Sequence, residues 1–211
     1  VEITDIKQQK RHRGRFSVYV DGKYAFSLDY VTFTHAGLHI GDAISDEEVK
    51  LLSQKDEFFR ARDYAYSLLS YRERTEHEMK SRLFEKGFSI SVVRSVLDML
   101  KSKDLINDRS FASKWVEDVL SHRPMGKLRV MHELRKRRVN DAIIDEVCRR
   151  RLEPVAEVTL ARRAADKKLH ALENYPQEVA KRRLYNFLKN RGFDFGVIND
   201  LMKEYFGDHI D

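Results

Sequence analysis

One cysteine, Cys148, stands in 211 residues, so no disulfide can close within the chain. Its place on an apolar stripe with Ile144 and Val147 reads as a core thiol. No apolar run approaches the roughly 18 residues of a bilayer-spanning helix. The opening Val1-Glu2-Ile3-Thr4-Asp5 also lacks the apolar core of a signal peptide, so a reducing, cytoplasmic location and no membrane partner are expected. Enzyme signatures are missing as well: there is no phosphate loop, no dinucleotide fingerprint, no nucleophile elbow and no His-Glu-x-x-His. His77-Glu78 and His132-Glu133 lack a second histidine one turn later and read as surface residues. No metal, no other cofactor and no catalytic activity are therefore expected. Nor is any stretch rich enough in Gly and Ser to be a flexible linker, which implies segments packed against one another.

What the chain does have is repetition. Leu83-Phe84-Glu85-Lys86-Gly87-Phe88, Leu134-Arg135-Lys136-Arg137-Arg138-Val139 and Leu188-Lys189-Asn190-Arg191-Gly192-Phe193 share one pattern at offsets of 51 and 54 residues. The offsets hold for neighbours. Met79, Val130 and Leu184 precede the anchor leucine by one helical turn, and Val93, Ile144 and Ile198 follow it by ten residues. So many aligned positions argue for one supersecondary unit of three helices, used three times. Stacked units bury what each exposes alone, giving an elongated body with long faces. The expected fold is mainly α, with repeats over 61–106, 107–152 and 153–211 after an amino-terminal extension over 1–60.

Phe16-Ser17-Val18-Tyr19-Val20 and Tyr24-Ala25-Phe26-Ser27-Leu28 alternate around Asp21-Gly22 and predict a β-hairpin. A three-residue Val20-Asp21-Gly22 loop with Gly22 as bulge would unite Phe16, Val18, Tyr24 and Phe26 on one face. Residues 2–9 are a candidate third strand, and Asp29 to Ala36 a short helix stopped by Gly37. Ser45-Asp46-Glu47-Glu48 is a capping-box sequence opening a helix to about Leu69, with a break near Asp56. Thr75-x-x-Glu78 caps the next helix, and Gly87 ends it. Phe88, Phe111, Trp115 and Phe193 sit on apolar stripes and read as core.

The net charge of +6 is unevenly placed: 1–60 carry 9 Lys/Arg against 10 Asp/Glu, whereas 61–211 carry 31 against 24. Within the repeats the clusters are Lys127, Arg129, Arg135, Lys136, Arg137 and Arg138; Arg149, Arg150 and Arg151; Arg162, Arg163, Lys167 and Lys168; and Lys181, Arg182 and Arg183. Cations at helix ends suit the macrodipole, which accounts for one or two of Arg135, Lys136, Arg137 and Arg138, and a solvated structural face is the competing reading of all the clusters. Spread over several helices, they suit a long phosphate-lined or acidic groove better than one small ligand. Arg11, Arg13 and Arg15 before the hairpin are either a basic loop touching DNA or a charged sheet edge that deters aggregation.

Lys86-Gly87-Phe88, Arg191-Gly192-Phe193, Leu105-Ile106-Asn107-Asp108-Arg109-Ser110-Phe111-Ala112 and Gly126-Lys127-x-Arg129 before Glu133-Leu134 together resemble the RecX family over about residues 61–206. Asn107-Asp108-x-x-Phe111-Ala112 is the most specific piece. The resemblance implies a monomeric cytoplasmic regulator of DNA repair, recombination and the SOS response. Its partners would be the RecA filament and single- or double-stranded DNA without sequence preference, and it would restrain RecA recombinase, ATPase and coprotease activity. The middle unit has Arg138 where the others have glycine, and the amino-terminal hairpin falls outside the resemblance. A stand-alone, sequence-nonspecific DNA-binding protein with helix-turn-helix-like units is the alternative. Exposed positions there offer Lys and Arg without clear base readers.

Overall fold

The computed structural model describes residues 1–10 and 14–207, apart from the side chains of residues 154 and 155. Three strands, β1 (Ile3–Gln8), β2 (Arg15–Val20) and β3 (Lys23–Asp29), precede α1 (Tyr30–Ala36) and α2 (Asp46–Tyr71). Then follow α3 (Glu76–Glu85), α4 (Ile90–Ser102), α5 (Asp108–His122), α6 (Lys127–Lys136), α7 (Asp141–Arg151), α8 (Pro154–His170), α9 (Gln177–Asn190) and α10 (Phe195–Phe206). The chain divides into two compact units: residues 1–72 with 79–105, and residues 73–78 with 106 onward.

In the first unit β1, β2 and β3 form an antiparallel meander. Ile3, Val18, Phe26, Leu28 and Ile44 are its buried core. The hairpin differs from expectation in one respect. Val20 pairs directly with Lys23, leaving a two-residue turn in which Asp21 and Gly22 both have positive φ (47° and 77°), the conformation that matches strand twist. The register shift falls one step later: Val18 faces Phe26 but Tyr19 faces Tyr24, so Ala25 is the extra residue. Phe16, Val18 and Phe26 share a face as expected; Tyr24 does not, and its exposed ring meets Tyr19 edge-on.

Asp29 caps α1, which Gly37 ends in the left-handed conformation. Both halves of the Ser45/Glu48 capping box are formed at the start of α2. Hydrogen bonds to Ser45 hold the Glu48 carboxyl below its ordinary pKa. Helix α2 runs 26 residues without the expected break. Asp56 is buried because Arg15, Arg60 and Ser27 all reach its carboxylate from the sheet and from the helix itself. A lone buried carboxylate would be costly; paired and hydrogen-bonded it pins the helix to the sheet.

In the second unit one continuous core joins α5 to α10, from Ala112 and Val116 to Leu201 and Met202. Every repeat anchor is buried: Leu83, Leu134 and Leu188, the preceding Met79, Val130 and Leu184, and the following Val93, Ile144 and Ile198. Phe111 and Phe193 are core as expected. Trp115 and Phe88 are only half-buried, each with an arginine over its ring, Arg137 on Trp115 and Arg60 on Phe88. Cys148 is buried, and that burial pushes its thiol pKa up to about 11.

The three anchor segments end their helices alike. Phe88, Val139 and Phe193 each donate a backbone N–H to the anchor leucine's carbonyl, at 3.3, 3.2 and 3.4 Å. Gly87 and Gly192 supply the required left-handed residue with φ of 91° and 74°. In the middle unit Arg138 adopts it with φ 57°. Equivalence of the units therefore survives the missing glycine, at a backbone cost of about 1–2 kcal/mol.

Candidate functional site

Two head-to-tail helix junctions build the second unit's surface. At the first, Thr75 accepts the Glu78 N–H and donates its hydroxyl to the Arg137 carbonyl, while Asp108 accepts the Glu76 N–H. At the second, Gly126 donates to the Arg191 carbonyl and Leu128 to the Gly192 carbonyl, while Glu157 accepts the Lys127 N–H. Thr75 and Gly126, and Arg137 and Arg191, are related by the repeat offsets. Each helix N-terminus would otherwise leave orphan N–H groups, and each C-terminus orphan carbonyls; the junction satisfies both.

The second junction brings the end of α5 and the Arg123-Pro124 connection beside α8 and α9. Between them runs a groove of about 900 Å³ lined by Arg123, Arg163, Lys167, Lys168 and Arg191, with one carboxylate, Asp166. Two of its cations are held in place. Arg163 donates to the Ser121 carbonyl at 3.2 Å, and Arg191 to the Pro124 carbonyl at 2.8 Å. Phe187 carries Arg191 and Lys168 on its ring, 4.8 and 5.5 Å from the centroid. Arg123 and Lys167 have no acidic partner among the described residues. Asp166 is engaged by the Tyr205 hydroxyl, whose pKa is pushed up to about 12 by burial and by that hydrogen bond. A second depression of about 260 Å³ shares Arg123 and Arg191 and extends to Arg129. With five cations against one carboxylate, the groove offers donors and charge to an anion such as a phosphate chain.

Of the basic residues singled out in the sequence, Arg163, Lys167 and Lys168 line this groove, and Arg129 lies at its extension. The run Arg135, Lys136, Arg137 and Arg138 is largely engaged elsewhere. Glu133 sits within ion-pair distance of Arg129, Lys136 and Arg137, and Asp141 binds Arg135 and raises its pKa. Only Arg138 of that run has no acidic partner among the described residues. Arg150 pairs with Glu146, Arg151 with Glu117 and Arg162 with Glu204; Arg149 is exposed. Arg183 lies on the Tyr175 ring, Arg182 is exposed, Lys181 is half-buried and Lys127 opens α6. Arg15 is not a loop residue: it begins β2 with its guanidinium on Asp56, and burial lowers its pKa. Arg11 and Arg13 lie outside the described residues.

Arg123 and Arg191 were not anticipated. Arg191 had a signal, being the repeat equivalent of Lys86 and Arg137. Each of these three covers an aromatic ring, Lys86 on Tyr64, Arg137 on Trp115 and Arg191 on Phe187. Among the described residues no group of three or more His, Cys, Asp or Glu is placed to hold a metal, and no helix is long and apolar enough to cross a membrane.

Tandem three-helix units carrying a basic groove define a helical repeat protein. Four family models match along its length: "Regulatory protein RecX N-terminal domain" over residues 1–45, and the first, second and third three-helix domains of RecX over 61–100, 107–147 and 156–202. The chain belongs to the RecX family of regulatory proteins. Regulatory protein RecX of Clostridium botulinum (strain Eklund 17B / Type B) is 28% identical over 205 residues, covering 96% of this chain and 95% of the relative. That of Clostridioides difficile (strain 630) is 27% identical over 202 residues, covering 96% and 94%. A crystal structure of regulatory protein RecX superposes with a TM-score of 0.72 at 25% identity, over 96% of this chain and 98% of that one. RecX from Lactobacillus salivarius shares the fold, with a TM-score of 0.64 at 20% identity over 74% and 99%. The match over 1–45 corrects the expectation that the amino-terminal hairpin lies outside the family pattern.

Proposed function

We propose that this protein binds the RecA–DNA filament and restrains RecA's recombinase, ATPase and coprotease activities in the cytoplasm. Family membership supports RecA as the partner; the groove of Arg123, Arg163, Lys167, Lys168 and Arg191 is the observation that supports an anionic, extended contact surface. Three repeated units suit a partner that is itself periodic. Arg138, Arg149 and Arg182, exposed and without an ion pair among the described residues, extend the candidate surface, whereas the Glu133-paired cations contribute less net charge to it. Positive charge would steer encounter with the filament, and fixed guanidiniums would set register.

The test is inhibition of filament ATP hydrolysis and strand exchange at substoichiometric protein. A variant with Arg123, Arg163 and Lys167 changed to Ala is expected to lose inhibition while remaining folded. Its DNA affinity should lose salt dependence by roughly one unit of slope, or slightly less, per lost phosphate contact. Changing Arg135 and Lys136 to Ala should do less. If the groove variant inhibits as the parent does, the groove is not the contact; if the parent leaves filaments untouched at every ratio, the reading fails. A protein that binds naked DNA as tightly as filaments would favour the stand-alone DNA-binding alternative.

A further inference from the structure

A second cavity, of about 570 Å³, lies wholly within the first unit, far in sequence from the groove residues, and is lined differently. Arg15, Ser27 and Arg60, the partners of buried Asp56, line one side of it. Arg15 spends one guanidinium nitrogen, Nη2, on Asp56 and Ser27, and Arg60 spends Nε on Asp56. Their remaining N–H groups have no acceptor among the described residues, although the Arg15 side chain is only 18% exposed. Lys86 completes a set of three cations contributed by β2, α2 and the end of α3. The one acid on the wall, Asp63, is bound by Arg62.

Aromatic rings form the other half of the lining. Tyr64 and Phe88 lie 6.3 Å apart, with Lys86 over the first and Arg60 over the second. Tyr24, put on the exposed side of the hairpin by the bulge at Ala25, closes the rim. A phosphate suits unspent guanidinium and ammonium donors, and a flat heterocycle suits ring faces; the two side by side are the recognition chemistry of a nucleotide. A purely phosphate-binding surface would have no use for the rings, and an apolar pocket none for a charged side that is expensive to bury.

We infer that this cavity binds a single nucleotide, its base against Tyr24, Tyr64 and Phe88 and its phosphate on Arg15, Arg60 and Lys86. The source is either an unstacked base of a single strand or a free mononucleotide. The site is separate from the groove of the second unit, and its test does not depend on RecA.

Binding of a fluorescein-labelled oligothymidylate to the full chain is compared with that of an abasic strand of equal length. Tyr24 and Lys86 are exposed, so Tyr24→Ala and Lys86→Ala leave the fold intact. Tyr24→Ala is expected to weaken oligothymidylate binding about five- to a hundredfold, the worth of one stacked base, without changing abasic binding. Lys86→Ala should weaken both. Irradiation of a strand containing 4-thiothymidine should leave adducts on Tyr24, Tyr64 or Phe88. Competition by thymidine 5′-monophosphate assigns the site to free nucleotides, and resistance to it with adducts present assigns the site to a strand. Equal responses of Tyr24→Ala to both strands, or adducts confined to the groove residues, would overturn the inference. Loss of RecA inhibition in the groove variant with Tyr24 adducts retained keeps the two readings distinct.

Discussion

The two junctions of the second unit solve one problem by different means. Thr75 meets Arg137 through a side-chain hydroxyl, which keeps the two backbones a side chain's length apart. Gly126 meets Gly192 backbone to backbone: a Cβ on Gly126 would lie 2.1 Å from the Gly192 oxygen, and one on Gly192 would lie 2.4 Å from the Arg129 nitrogen. What the repeat conserves is therefore the hydrogen-bonding demand of paired helix ends and not the residues that meet it. The close junction is also the one beside the basic groove, where Arg191 and Arg123 converge.

The sharpest way to break the comparison is to add one carbon on each side of it. Gly126→Ala should cost at the top of the about 1–3 kcal/mol that overpacking entails, because backbone atoms and not flexible tips stand in the way. Chemical denaturation checks this, and a cost near zero would show that the close approach is not real. Thr75→Val at the open junction removes one donor and one acceptor without a clash and should cost about 1 kcal/mol, within the range for lost caps. If both substitutions cost the same, the contrast between the junctions is empty. Smallest is Arg138→Gly. Relieving the left-handed arginine, offset by the greater chain entropy a glycine loses on folding, should raise stability by about 0.5 kcal/mol, whereas Gly87→Ala at the equivalent position, where φ is 91°, should lower it by a comparable amount.

Much of the helical architecture could be read from spacing, because nine aligned apolar positions report burial directly and all nine are buried. Helix caps at Ser45, Thr75 and Gly87 were legible for the same local reason. The expected break near Asp56 shows where locality fails: a polar run in a helix looks like an interruption unless its distant partner, Arg15, is known. The hairpin register failed more narrowly, since a bulge at Ala25 and a bulge at Gly22 differ by only a few residues of pattern. Counting basic residues does not separate paired cations from free ones: Glu133 lies four residues from both Arg129 and Arg137 and so shares their helix face. The groove itself was invisible, because Arg123, Arg163 and Arg191 come from three separate stretches that only the second junction brings together.

Helix α2 gives the molecule a property of measurement. At 1.5 Å per residue its 26 residues make a rod about 39 Å long, tied by Asp56 to the sheet and by Ala61 and Ala65 to the core that faces α4. Inserting or deleting a single residue between these ties would turn one about 100° relative to the other. Substitutions along the exposed side of α2 can therefore accumulate freely while its length cannot drift, and the helix acts as a gauge block that fixes the distance and the angle between the sheet's core and the first repeat's.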